Sequence, residues 1–300
     1  MKIVGILCEY NPLHLGHARQ ISSIRKNSPE ETAVVCLMSG NFVQRGHPAI
    51  FDKMLRARAA LESGADLVLE LPVQYCLSSA EGFAAGAVSI LGSFCQEMSF
   101  GAEHPDREAL LATASALLSP DFPAHLRTFL DAGLSFPAAR AKALSDMGTD
   151  NALLESPNDI LAVEYCKAIL SQHSGMMPLP IVRPGSYHDA AADPDNPSAT
   201  SLRLLIENGK AFRPYVSTDA FDGAAVHTMA FGEKAMLAKL RTMTDAEFEA
   251  LPYGSEGLWR KLMHAVRKEA TLEDILTAVK SKRYTRTRLD RMVMCAFLGI

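Results

Sequence analysis

The 300 residues carry 34 acidic and 30 basic side chains, a net charge of −4, so no global positive field points to nucleic acid and any such partner must be sought in a local basic cluster. Hydrophobic residues at 48% and charged residues at 21% exclude a disordered chain, and no apolar run is long enough to span a bilayer. Six cysteines, scattered singly with no Cys-x-x-Cys pair, argue against a disulfide framework or a zinc knuckle and for buried thiols in a reducing, cytoplasmic compartment.

Residues 3–8 form a continuous apolar run, the pattern of a strand buried on both faces of a parallel sheet. Glu9 and Asn11-Pro12 follow where a signal peptide would need a cleavage site. A helix is expected over about 17–25, and a second buried strand over 33–38 leads into the glycine-punctuated loop 39–46. A helix over about 51–63 ends before Gly64, and a third strand over 66–71 is stopped by Pro72. The small-residue segment 80–91 reads as a helix in which Gly82 and Gly86 permit close packing; a fourth strand over 97–100 precedes Gly101. This alternation predicts an α/β fold with a Rossmann-like, doubly wound parallel sheet, whose ligands sit beyond the carboxyl ends of the strands.

Helical patterns dominate 106–169, including a helix entered at Ser156 or Pro157. Residues 178–182 can form a fifth strand, followed by a long Pro- and Asp-rich loop to Pro197, in which His188 beside Asp189 is a possible acid-base pair. A helix over 198–208 ends at Gly209. Beyond about 210 amphipathic helices follow one another, with Trp259 as an inter-helix anchor, so a smaller helical domain is expected over 211–300.

Neither a Walker A sequence nor Gly-x-Gly-x-x-Gly is present. At the first strand-to-helix turn, however, His14-Leu15-Gly16-His17 places two imidazoles three residues apart around a glycine. First-turn amides would face an anion, Gly16 would admit it, and the imidazoles would donate to phosphate oxygens. Zinc ligation and plain surface histidines are the alternatives; no third ligand stands at metal spacing, although Cys8 and Glu9 are near. Ser198-Ala199-Thr200-Ser201-Leu202-Arg203 offers two hydroxyls at a helix start and an arginine one turn on, which reads either as an ordinary cap or as a second phosphate contact.

Together these motifs resemble the nucleotidylyltransferase superfamily with the His-x-Gly-His signature. Longer stretches resemble the bacterial tRNA(Met) cytidine acetate ligases: Glu9-Tyr10-Asn11-Pro12, Met38-Ser39-Gly40-Asn41-Phe42, Gly64-Ala65-Asp66-Leu67, Ser99-Phe100-Gly101-Ala102-Glu103, Ser156-Pro157-Asn158-Asp159, Arg183 with Tyr187-His188-Asp189, and Lys282-Arg283-Tyr284-Thr285-Arg286-Thr287-Arg288. The resemblance implies activation of acetate by ATP with Mg²⁺ as acetyl-adenylate, then acetylation of N4 of the wobble cytidine of elongator tRNA(Met). Small-molecule adenylyl transfer, or an idle RNA-binding protein, are the competing readings.

Carried over by residue, the resemblance implies a catalytic, ATP-binding domain over 1–210 in which His14, His17 and Arg203 are catalytic. Leu7, Cys8, Glu9, Tyr10, Asn11, Pro12, Gly16, Gln20, Gly101, Asn158, Arg183, Pro184, Ser198 and Thr200 would surround ATP. The basic run of Lys280, Lys282, Arg283, Arg286 and Arg288 around Tyr284 reads on charge alone as a solvated helix face. The resemblance turns it into a tRNA contact, with Tyr284 stacking on a base. Family members continue past the position of Ile300, so a C-terminal segment is expected to be missing here.

Overall fold

The computed structural model describes residues 1–28, 30–182, 197–281 and 284–300. Arg183, Pro184, His188, Asp189, Lys282 and Arg283, and the expectations attached to them, lie outside the described residues.

The first half alternates strand and helix as expected: β1 (Lys2–Cys8), α1 (Leu15–Asn27), β2 (Thr32–Ser39), a small hairpin of β3 (Phe42–Val43) and β4 (His47–Pro48), α2 (Lys53–Glu62), β5 (Leu67–Leu71), α3 (Val73–Cys76), α4 (Ala80–Leu91) and β6 (Glu97–Ala102). Helices α5 (Arg107–Leu118), α6 (Phe122–Asp131), α7 (Phe136–Asp146) and α8 (Pro157–Ser171) precede β7 (Met177–Val182) and α9 (Ala199–Glu207). The five long strands are all parallel, in the order β5-β2-β1-β6-β7. From β1 the chain winds outward through β2 to β5, then crosses back to β6 on the other side. The winding therefore reverses between β1 and β6, which opens a crevice at their carboxyl ends.

Side-chain alternation explains why β1 and β2 read as continuous apolar runs. Val4, Ile6, Val34 and Cys36 pack on Ile21 and Ile24 of α1 and Ala59 and Ala60 of α2, while Leu7 and Leu37 point to the opposite core with Phe83, Val88 and Leu91 of α4. Gly86 is needed for this layer, because a Cβ there would lie 2.2 Å from the Tyr75 ring. All six cysteines are free and buried.

Past α9 the segment 212–224, expected to lie beyond a boundary near 210, packs with the sheet. Val216, Ala220 and Phe221 join the core beside β1, and the Phe221 ring stacks on Phe51 at 4.7 Å. A separate helical core is built from α10 (Met229–Thr242), α11 (Asp245–Glu249), α12 (Leu258–Lys268), α13 (Leu272–Val279) and α14 (Arg286–Leu298), around Leu240, Phe248, Leu262, Ile275 and Met292, with Trp259 against it. Leu77, from the α3–α4 turn, is buried in that core too.

Residues 39–46, read as a loop, form most of the β3–β4 hairpin, and it lies directly on α14. Gly46 adopts φ +82° there, and a Cβ would fall 2.3 Å from the Arg291 backbone nitrogen. His47 Nε2 lies 3.2 Å from buried Asp290, and Arg291 donates to the Gln44 carbonyl at 3.2 Å. Among the described residues no helix is long and apolar enough to cross a membrane.

Candidate active site

A cavity of about 640 Å³ opens at the crevice where the winding reverses. It is lined by fourteen of the residues expected around the nucleotide: Leu7, Cys8, Glu9, Tyr10, Asn11, His14, Gly16, His17, Gln20, Gly101, Asn158, Ser198, Thr200 and Arg203. Pro12 does not line it. Gln20 donates to the Ser99 hydroxyl at 3.2 Å, which ties α1 to β6 across the crevice.

The two histidines are fixed by the helix start itself. His14 is the N-cap of α1, its Nδ1 accepting from the Gly16 amide at 3.1 Å, while the His14 amide donates to Nδ1 of His17 at 3.3 Å. The rings stack at 3.7 Å, and the buried Tyr10 ring tilts onto His17 at 5.0 Å. Because each Nδ1 accepts, the ring proton of each imidazole sits on Nε2, so each ring is a donor at that atom. This corrects one expectation. The amides of Gly16 and His17 do not await an anion, since Gly16 N–H is taken by His14 Nδ1 and His17 N–H by the His14 carbonyl at 2.9 Å. The two ring Nε2 atoms are donors of this turn besides its main chain.

The second motif is joined to the first by a single side chain. Ser198 caps α9 by accepting from the Ser201 amide at 3.1 Å, and Arg203 donates to the Thr200 hydroxyl at 3.1 Å and to the Asn11 carbonyl at 2.9 Å. Asn11 in turn accepts from the Ile50 amide through Oδ1 at 2.7 Å, and Glu9 accepts from the Gln44 amide at 2.7 Å. The loop after β1 thus sets the positions of both α9 and the hairpin.

Beneath this loop lies a residue that motif reading passed over. Arg56 on α2 is 0% exposed, yet its guanidinium donates to the carbonyls of Phe51 at 3.0 Å, Glu9 at 2.6 Å, Ser39 at 3.1 Å and Gly40. It gathers the carboxyl ends of β1 and β2. Burial pushes the guanidinium pKa down from its ordinary value, but arginine starts high enough to stay charged. The available signal was periodicity: Arg56 shares a helix face with buried Ala59 and Ala60, whereas Arg58 pairs with Glu62 at the surface.

At the opposite wall the loop after β6 and the start of α8 brace each other. Glu103 accepts from the Asn158 side-chain amide at 2.7 Å and from the Asp159 backbone at 3.0 Å. Buried Asp159 accepts from the His104 amide at 3.0 Å and meets His104 Nδ1 at 2.7 Å. Hydrogen bonding to this carboxylate raises the His104 pKa above its usual value. A histidine raised by folding contributes stability that is complete below its unfolded pKa, ~6.5, and is lost as pH rises through the higher folded value. The His104 NMR titration midpoint should therefore lie above ~6.5 and fall in Asp159→Asn; an unmoved midpoint would show that the carboxylate is not the cause.

The family model described as HIGH Nucleotidyl Transferase matches residues 1–300. The tRNA(Met) cytidine acetate ligase of Clostridium novyi is 38% identical, over 100% of this chain and 79% of that protein. The chain belongs to the tRNA(Met) cytidine acetate ligase family. Another member, from Acetivibrio thermocellus, is 35% identical over 100% of this chain and 78% of its own length. The crystal structure of apo Thermotoga maritima TmcAL superposes with a TM-score of 0.91 at 33% identity, covering 99% of this chain and 75% of that one. A second TmcAL structure, bound with alpha-thio ATP, gives 0.89 at 33% identity, covering 100% and 75%.

In this family member, Tyr284, Arg286 and Arg288 of the C-terminal basic run expected to contact tRNA make bonds within the protein. Tyr284 is only 9% exposed and donates to the Glu256 carbonyl at 3.2 Å, while Arg288 lies over its ring at 5.4 Å. Arg288 also donates to the Tyr253 carbonyl at 2.7 Å, and Arg286 forks onto Glu273 at 2.8 and 2.7 Å and reaches Asp290 at 2.9 Å. Tyr284, Arg286 and Arg288 therefore hold α14 against its neighbours, and Tyr284 leaves little ring face exposed for the stacking expected of it. Lys280 is exposed, and neither it nor the other described members of the run line the cavity.

Proposed function

We propose that this chain activates acetate with ATP as acetyl-adenylate and transfers the acetyl group to N4 of the wobble cytidine of elongator tRNA(Met), in the cytoplasm. The observation that carries the site assignment is the Arg203–Asn11 bond, which brings the two phosphate motifs onto one cavity at the reversal of the sheet. An acetate oxygen attacks the α-phosphorus of ATP, and pyrophosphate departs with the electrons of the broken P–O bond. His14 and His17, through Nε2, and Arg203 stabilise the charge gathering on the phosphate oxygens. The cytidine amine then attacks the acetyl carbon; the amide bond forms, the amine gives up a proton, and AMP leaves.

Gly101 and Asn158 border the adenosine end of the cavity in this reading, with Asn158 oriented by Glu103. Mg²⁺ would be held mainly by the phosphates of ATP and by water, with at most one or two carboxylates. The described carboxylates of the wall are Glu9 and Glu207, of which Glu9 is bonded to Gln44, and no described cluster of three His, Cys, Asp or Glu could hold a metal. No step above runs through the ion. Packing changes from sheet to helical core between Ala224 and Met229, and we place the boundary of the sheet unit there, with α14 backing the cavity through the β3–β4 hairpin.

The test is incubation with ATP and labelled acetate, with and without tRNA, following pyrophosphate, acetyl-adenylate and label in RNA. Label should enter RNA only when ATP is present. ATP binding without acetate activation would defeat this reading in favour of another adenylyl transfer.

A further inference from the structure

Among the described residues the most exposed large apolar side chain is Phe231, at 81%. Phe231 itself is not part of the cavity wall but stands two residues beyond Met229, which is. His227, Thr228 and Met229, just before it, line the wall, and the His227 ring meets Phe231 edge-on at 6.2 Å and 76°. The platform is rigid. Thr228 caps the fourteen-residue α10 by accepting from the Phe231 amide at 3.3 Å, and the His227 amide donates to the Ile50 carbonyl at 3.0 Å. That helix buries Met236, Leu237 and Leu240, a face that leaves Phe231 outside the core.

We propose that Phe231, backed by His227, is the stacking platform for an unpaired base of the RNA acceptor next to the nucleotide being acetylated. The inference rests on the proposed tRNA acceptor. That reaction requires a single-stranded loop to insert one base while its neighbours remain at the mouth, and splayed bases are bound on aromatic faces. The described wall includes Arg19, Arg45 and Arg203, residue types that contact the phosphates flanking such a base. A protein segment would want a wider apolar patch than one ring.

Phe231→Ala should raise KM for tRNA about tenfold or more at saturating ATP and acetate. Phe231→Trp should stay near wild type. Acetate-dependent ATP–pyrophosphate exchange without RNA should be unchanged in both. An unchanged KM for tRNA in Phe231→Ala, with wild type labelling RNA, would overturn the platform alone; so would a parallel fall in exchange, which would mark a role in the fold or the ATP site. Absence of RNA labelling by wild type would overturn the acceptor reading and the platform with it.

Discussion

Replacing His14 by asparagine is expected to slow acetate-dependent ATP–pyrophosphate exchange by about 10²-fold while leaving the urea midpoint almost unmoved. The two effects separate because His14 caps α1 through Nδ1 and, in the proposed mechanism, serves phosphate through Nε2. Its Nδ1 caps α1 by accepting from the Gly16 amide, a task asparagine performs well, whereas its Nε2 has no counterpart in asparagine. His14→Ala should lose both, adding roughly 1 kcal/mol of destabilisation to the same kinetic loss. Exchange that survives His14→Asn would mean that the ring is a cap and nothing more.

The second large effect is on stability. Arg56→Met should cost about 3–5 kcal/mol, read from urea unfolding, because it strands the carbonyls of Phe51, Glu9, Ser39 and Gly40 in a buried place without their donor. Arg56→Lys should recover only part of this, since an ammonium cannot spread its protons over the same span as a planar guanidinium. A loss below about 1 kcal/mol in Arg56→Met would show that water or a small shift satisfies those carbonyls.

β1 and β2 were legible as short apolar runs, which in a parallel sheet are buried on both faces, and β5 and β6 by the proline and glycine that mark their ends. The helix read over 80–91 matches Ala80–Leu91, where an apolar stripe and a serine cap agree. The cavity lining was legible through the family resemblance, and these residues meet because those after a strand's carboxyl end are placed by the strand. What escaped depends on partners far away in the chain. Arg286 and Arg288 looked like free charge because Glu273 and the Tyr253 carbonyl, which hold them, lie 13 and 35 residues away. Arg56 grips main-chain oxygens, which leave no mark in a pattern of side chains. The hairpin has strands of two residues each, too short for any alternation to be read.

The contact of that hairpin with α14 bears on how this protein can be dissected. One side of the hairpin is cavity wall, through Gln44, Arg45 and His47; the other rests on the backbone at Asp290 and Arg291. A fragment cut before Met229 to isolate a minimal nucleotide-binding unit would keep all of His14–His17 and Ser198–Arg203 and still lose the backing of one wall. It would also uncover Leu77, whose side chain is housed among the helices. The last helix of the described chain is a buttress of the crevice, and the smallest unit that preserves the crevice has to include it.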